Sequence, residues 1–123
     1  MRGTEKQIAF AESVRQSTID YINQEIDSIR ANHDRGYRHV EAAIAAGDSK
    51  KADRATEQMN RLAKRMRLLA LAALIIERAD DAAFILDMRD CPYNMGDSVR
   101  FNFYIRKALD NGYITAEEAE SIN

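Results

Sequence analysis

The sequence predicts an all-α protein built on a long, coiled-coil-like antiparallel helical hairpin, with two or three short C-terminal helices packed on its base. Over two long stretches, apolar residues recur at alternating spacings of three and four, which places them on one face of a helix. Capping residues and glycines mark the ends of these stretches. We therefore expect a single helical domain over residues 1–123, with the hairpin over residues 4–78 and the C-terminal helices over residues 80–122.

The first helix is predicted to begin at a capping box, in which the Thr4 hydroxyl and the Gln7 side chain each accept a hydrogen bond from the other residue's backbone N–H. Gly36 lies within its apolar seam and costs about 1 kcal/mol relative to alanine inside a helix, so we expect one helix that bends there. Gly47 should end it. The seam consists of Ile19, Ile22, Ile26, Ile29, His33, Gly36, Val40 and Ala43.

The second helix is predicted over residues 49–78, with Asp48 or Ser49 as its N-cap. The connection is only three residues long, which makes the two helices antiparallel neighbours. The run from residue 68 to residue 76 is apolar on every side, so the C-terminal helices must cover it, with Leu69 and Leu74 as core positions. The seam of this helix consists of Ala52, Ala55, Met59, Leu62, Met66, Leu69, Ala73 and Ile76.

Short helices are predicted after the hairpin. Asp80 or Asp81 can cap one that runs to Met88, and residues 92–96 then form a loop, because Pro92 disfavours helix in the residue before it.

Two further capping signals follow that loop. Asp97 can cap a helix that Gly112 ends, and a second capping box at Thr115 opens a last helical turn. The longer of these helices should close over residues 71–76 of the hairpin. Its apolar positions are Val99, Phe101, Phe103, Tyr104, Ile105, Ala108 and Leu109.

The composition, 46% hydrophobic and 31% charged over 123 residues, is that of an ordinary globular domain. The longest apolar run, nine residues, is far shorter than the ~20 that cross a bilayer, and the N-terminus has no apolar segment typical of a signal peptide. Cys91 is the single cysteine, so it can form neither an internal disulfide nor a thiolate metal cage. We expect a cytoplasmic protein that does not associate with membranes.

Charge is unevenly distributed along the chain. Residues 50–67 carry seven cations against two anions, whereas residues 77–123 carry five cations against ten anions. Lys50, Arg54, Arg61 and Arg65 share one stripe of the second helix, which we expect to point away from the apolar seam. A basic stripe can bind an acidic protein surface or a phosphate backbone, or can be a solvated helix face.

A second candidate binding segment is the loop at residues 93–95, because tyrosine and methionine exposed in a short loop often anchor a partner. The candidate partner-binding residues are Lys50, Lys51, Arg54, Arg61, Lys64, Arg65, Tyr93 and Met95.

The sequence offers little support for catalysis or metal binding. His33 and His39 are six residues apart and fall on different helix faces, which does not suit zinc. Residues 110–118 resemble only the back half of a calcium-binding loop. The carboxylates at positions 80, 81, 87 and 90 fit helix caps and solvated charge better than a general-base pair. We expect no enzyme, no cofactor and no metal.

Two stretches, residues 3–12 and 81–89, resemble a family of small proteins encoded on bacteriophages and integrative mobile elements of Gram-positive bacteria, whose function is largely unassigned. In the second stretch, Phe84-Ile85 stands where the family has an aromatic pair. The resemblance implies a genomic context and no chemistry. Small mobile-element proteins without catalytic motifs often act by binding and occluding a host protein, including components of defence systems such as CRISPR nucleases.

Three functional hypotheses follow from these observations. The first is a non-enzymatic protein-interaction module, in particular an inhibitor of a host or defence protein, acting on that protein or on its nucleic-acid complex. The second is a nucleic-acid or ribonucleoprotein accessory protein that uses the basic stripe. The third is a structural helical protein that assembles with itself, for which a homodimer formed at the hairpin end around Ile44, Ala52 and Ala55 is the simplest case.

Overall fold

The computed structural model describes residues 1–122 and confirms the all-α fold with the long hairpin. Within this range there is no strand, and only an isolated β-bridge joins Arg2 to Asp81. Among residues 1–122, none of the helices combines the length and the apolar composition that a membrane span requires. The helices are α1 (Glu5–Ala45), α2 (Ser49–Arg78), α3 (Ala82–Asp87), α4 (Ser98–Asp110) and α5 (Ala116–Glu120), with a 3-10 turn at Cys91–Tyr93 between α3 and α4.

The predicted ends of the hairpin helices are confirmed. The Thr4–Gln7 capping box is formed, and α1 runs through Gly36 without interruption. Gly47 adopts a φ of +73°, which suits glycine, and the Asp48 carboxylate accepts a hydrogen bond from the Lys51 backbone N–H at the start of α2. Local sequence signals therefore determine where both long helices begin and where α1 ends.

The core of the hairpin lies at its base. Ile22, Ile29, Leu69 and Ile76 are buried there, whereas in the distal part only small seam residues such as Ala43 and Ala52 are buried. Gly36 allows close packing of the distal helices, since a Cβ atom built on it would lie 2.9 Å from Cγ of Met59. The distal half of the hairpin is thus held by small contacts and is not covered by a third helix.

Aromatic side chains from the C-terminal helices complete the core. The ring of Phe84 lies 5.0 Å from that of Tyr113 and 6.0 Å from that of Tyr104, and Phe101 packs edge-on against Tyr104. The 3-10 turn places Pro92 in the buried part of this region, so residues 92–96 are not entirely loop as predicted. The reason is that the fixed φ of proline suits the first turn of a helix.

Three predicted core positions are wrong or only partly right. Val99 is 80% exposed and Phe103 is 49% exposed, because both lie on the outer side of α4. The Lys107 ammonium lies 5.4 Å above the Phe103 ring, where a cation–π contact accommodates the exposed ring. Leu74 is half-buried, whereas Leu69 is completely buried.

Candidate partner-binding surface

Two of the predicted basic residues of α2, Lys51 and Arg54, border a groove on one side of the hairpin. The groove has a volume of about 370 Å³ and an apolar floor. We call it the basic groove, because its lining residues include cations and no carboxylate. They are Asn32, Gly36 and His39 from α1, and Lys51, Arg54, Ala55, Gln58, Met59 and Leu62 from α2.

The shape of this groove follows from its small residues. Gly36 has no side chain and lies against Met59, and Ala55, one turn before Met59, has only a methyl group. The floor therefore offers apolar surface without bulky groups that would fill the groove. Such a site can accept one or two apolar side chains, while Lys51 and Arg54 at its rim can pair with carboxylates that flank them.

The other basic residues of α2 differ in their contacts. Arg61 forms a 2.7 Å ion pair with Glu57 one turn earlier on the same helix. Arg65 reaches across to α1, where its guanidinium lies 3.2 Å from the Glu25 carboxylate. Among residues 1–122, by contrast, Lys50, Lys51, Arg54 and Lys64 form no salt bridge.

The spacing predicted that the stripe points away from the seam, and two of its four residues do not. Arg65 bridges the two helices and Arg54 lines the groove between them, so these two residues lie at one flank of the interface. Residues at this flank of a coiled-coil seam commonly form interhelical ion pairs, as Arg65 and Glu25 do here. Of the cations of α2 without a salt bridge among residues 1–122, Lys51 and Arg54 lie beside the apolar floor near the hairpin end.

The opposite side of the hairpin end has exposed apolar side chains. Tyr37 is 55% exposed and Ile44 is 66% exposed, and their separation of seven residues places them on one face of α1. Ile44 also lines a shallow hollow with Val40, Ala52 and Asp53. The sequence grouped Ile44 with Ala52 and Ala55 at the hairpin end, whereas Ala55 lines the basic groove on the other side. Tyr37 was not predicted, although its position beside the seam gave the necessary signal.

The second predicted segment, at residues 93–95, lies elsewhere in the molecule. Tyr93 packs against Tyr21 of α1 with the ring centroids 4.4 Å apart, and Met95 is half-buried against the core. Residue 21 is eleven residues before Asn32 of the basic groove, which corresponds to about 17 Å along a helix. The structure therefore does not bring Tyr93 and Met95 together with the basic residues.

The titratable side chains were compared with the requirements of a metal site and of a reactive thiol. No group of three or more His, Cys, Asp or Glu side chains there could hold a metal ion. Cys91 is buried, and burial raises the pKa of its thiol, which keeps it protonated and weakly nucleophilic at neutral pH. The surface features of the hairpin are therefore the strongest functional candidates.

Comparison of the chain with protein-family models, with curated protein sequences and with solved structures finds no match.

Proposed function

We propose that this protein is a non-enzymatic interaction module that binds a partner protein in the basic groove of the hairpin. The observation that carries the proposal is the combination of an apolar floor at Gly36 and Met59 with the unpaired cations Lys51 and Arg54 at the rim. A partner segment that fits this groove presents an apolar side chain to the floor and carboxylates to the rim. An acidic amphipathic helix has this chemistry.

The lining of the groove favours a protein over a nucleic acid. Single-stranded nucleic acid usually stacks its bases on aromatic side chains, and the groove residues include no Phe, Tyr or Trp, with His39 as the one aromatic ring. A duplex backbone requires cations spaced along an open track, whereas Arg61 and Arg65 are already paired with carboxylates. Nucleic-acid or ribonucleoprotein binding remains the alternative function and is tested by the same experiment.

The class of partner protein is inferred from a different observation than the binding site. The resemblance to phage and mobile-element proteins suggests a host or defence protein, such as a CRISPR nuclease, that this protein would bind and inhibit in the cytoplasm. The groove supplies a means of binding, and the resemblance supplies the biological context.

The test uses a charge reversal in the groove and a matched control. Lys51→Glu combined with Arg54→Glu changes the rim, and Lys6→Glu combined with Arg106→Glu makes the same change of net charge at exposed positions elsewhere. The probes are a fluorescent helical peptide with a central leucine flanked by glutamates, the same peptide with alanine at the centre, and a single-stranded oligonucleotide. Binding is measured by fluorescence anisotropy at two salt concentrations.

We expect the leucine peptide to bind the wild type, and the groove variant to weaken that binding at least tenfold, about 1.4 kcal/mol. The control variant should bind the peptide as the wild type does, and the alanine peptide should bind less well. Thermal melting should show changes of only ~0.5 kcal/mol for each surface substitution. Equal peptide binding by wild type and groove variant would contradict the proposal, and oligonucleotide binding that falls steeply with salt would favour the alternative.

A further inference from the structure

The two sides of the hairpin end differ in charge and in surface shape. Opposite the basic groove, Asp34, Tyr37, Glu41 and Ile44 follow one another at spacings of three or four and so share one face of α1. Asp53 of α2 lies on the same side, since it lines the hollow beside Ile44. We call this surface the acidic edge. Between residues 34 and 44 it carries two protruding apolar side chains and, with Asp53 of α2, three carboxylates, while Arg30 and Arg38 lie one turn before and one turn after Asp34.

We propose that the acidic edge of one copy docks in the basic groove of a second copy. The inference rests on the proposed function, because it uses the same groove and names one occupant for it. Its basis is complementarity: the edge presents the apolar residues and carboxylates that the groove is suited to receive.

The groove is long enough to receive both apolar residues of the edge. Tyr37 and Ile44 are seven residues apart, about 10.5 Å along a helix, and the groove residues of α2 extend over eleven residues, about 17 Å, from Lys51 to Leu62. With this spacing, two apolar side chains of one copy can enter the groove of the next together. Glu41, which lies between them on the edge, would then face the cations of the rim.

The contact is heterologous, because it joins two different surfaces of the same chain. In a pair, one copy keeps a free edge and the other keeps a free groove, so association does not stop at a dimer unless the copies close into a ring. This differs from the symmetric homodimer expected from the sequence, in which identical surfaces of two hairpins meet. Ala52, which that expectation included, is buried within the hairpin itself.

The experiment uses two variants that each disable one of the surfaces. The edge variant is Tyr37→Ser with Ile44→Ser, and the groove variant is Lys51→Glu with Arg54→Glu. Molar mass is measured by light scattering from about 10 µM to about 1 mM, because an interface of this small size binds weakly. Circular dichroism and thermal melting confirm that both variants are folded.

We expect the mass of the wild type to rise with concentration beyond that of a dimer, and each variant alone to remain a monomer. An equimolar mixture of the two should form a one-to-one dimer, because the intact groove of the edge variant receives the intact edge of the groove variant. Replacing Glu41 and Asp53 by lysine should likewise restore association with the charge-reversed groove. That restoration depends on charge pairing and not on the fold of either variant.

Three results would overturn the inference: a monomeric wild type at the highest concentration, a mixture that stays monomeric, or a groove variant that still dimerises through paired acidic edges. The edge variant also separates this inference from the proposed function. If it binds the acidic peptide normally while the wild type does not self-associate, the groove takes foreign partners only. If the groove variant binds the peptide as well as the wild type does, the proposed function fails independently.

Discussion

Arg15 connects the first helix to the end of the second through backbone contacts. Its guanidinium donates hydrogen bonds of 3.2 Å to the Glu77 carbonyl and 2.6 Å to the Ala79 carbonyl. The last carbonyls of a helix have no partner within the helix, so a cation there satisfies them and interacts favourably with the helix dipole. The sequence shows an arginine at this position but gives no sign of a partner more than sixty residues away.

The first prediction concerns this contact. Arg15→Met keeps the aliphatic stem and removes both hydrogen bonds, so we expect a loss of about 1–3 kcal/mol in the free energy of unfolding. Chemical denaturation followed by circular dichroism measures it. Arg38→Met, at an exposed position of the same helix, is the control and should change stability by no more than ~0.5 kcal/mol. Equal losses in the two variants would show that the Arg15 contacts do not stabilise the fold.

Leu69 and Leu74 provide a comparison of two leucines in one apolar run. Leu69→Ala should cost about 2–5 kcal/mol, because it opens a cavity in a fully buried site. Leu74 is half-buried and lines an open hollow with Glu117 and Ser121, so Leu74→Ala should cost less. Urea denaturation of the two variants measures the difference. A larger loss at Leu74 would mean that this position is covered in solution.

At the scale of the helices, the boundaries could be predicted and the exposed faces only in part. Capping boxes and glycines act on neighbouring residues, so sequence alone located both long helices. In α4, the buried residues Phe101, Tyr104, Ile105 and Ala108 form one stripe. Val99 and Phe103 lie on the opposite side at 100° per residue, so the predicted apolar face was too wide for one helix.

The candidate site could likewise be predicted only in part from the sequence. Sequence identified the cations of α2, but the groove depends on which α1 residues face them, and the register of the two helices decides that. Gly36 could be recognised as unusual within a helix, whereas its contact with Met59 depends on the packing of two segments that are far apart in the chain. The ion pair between Arg65 and Glu25 likewise could not be predicted from the local sequence pattern, because the two residues lie on different helices.

The next prediction tests the Gly36–Met59 contact. Gly36→Ala improves helix propensity by about 1 kcal/mol, but the new Cβ would lie 2.9 Å from Cγ of Met59. We therefore expect stabilisation of about 1 kcal/mol only in the Met59→Ala background, and little or none in the wild type. A double-mutant cycle from denaturation curves measures the coupling. Additive effects would show that the helices do not approach closely here. Gly47→Ala is a control, and should destabilise by about 1–2 kcal/mol because of its positive φ.

At the scale of the whole molecule, ion pairs and hydrogen bonds close the base of the fold. Arg2 lies 3.2 Å from the Asp80 carboxylate, which also accepts a 3.0 Å hydrogen bond from the Tyr113 hydroxyl. Arg78 forms a 2.8 Å ion pair with Glu118 of α5. These contacts join the N-terminus, the end of α2 and the C-terminal segment.

These contacts predict how stability depends on pH. The Tyr113 hydrogen bond lowers the pKa of Asp80 below its ordinary value of 3.8, and the bond from Arg78 lowers the pKa of Glu118 below 4.5. Because both pKa values are lower in the folded protein, the stabilisation is fully present above these ordinary values and is lost as pH falls through the lowered ones. Melting temperatures between about pH 6 and about pH 2 should fall less steeply for Tyr113→Phe with Glu118→Gln than for the wild type. Tyr37→Phe is the control and should show the same dependence of melting temperature on pH as the wild type. The prediction would be contradicted if the Tyr113→Phe, Glu118→Gln variant also showed the wild-type dependence.

The uneven burial along the hairpin links binding to local folding. Large residues are buried at the base, whereas small ones hold the distal helices together, so the end near Gly47 should open at a lower free energy than the base does. Backbone amide hydrogens of the distal helices should accordingly exchange with solvent sooner than those of the base. A segment bound in the basic groove holds α1 and α2 together at this least protected place. Binding of a segment in the groove should therefore suppress local opening of the hairpin end without any change in the fold.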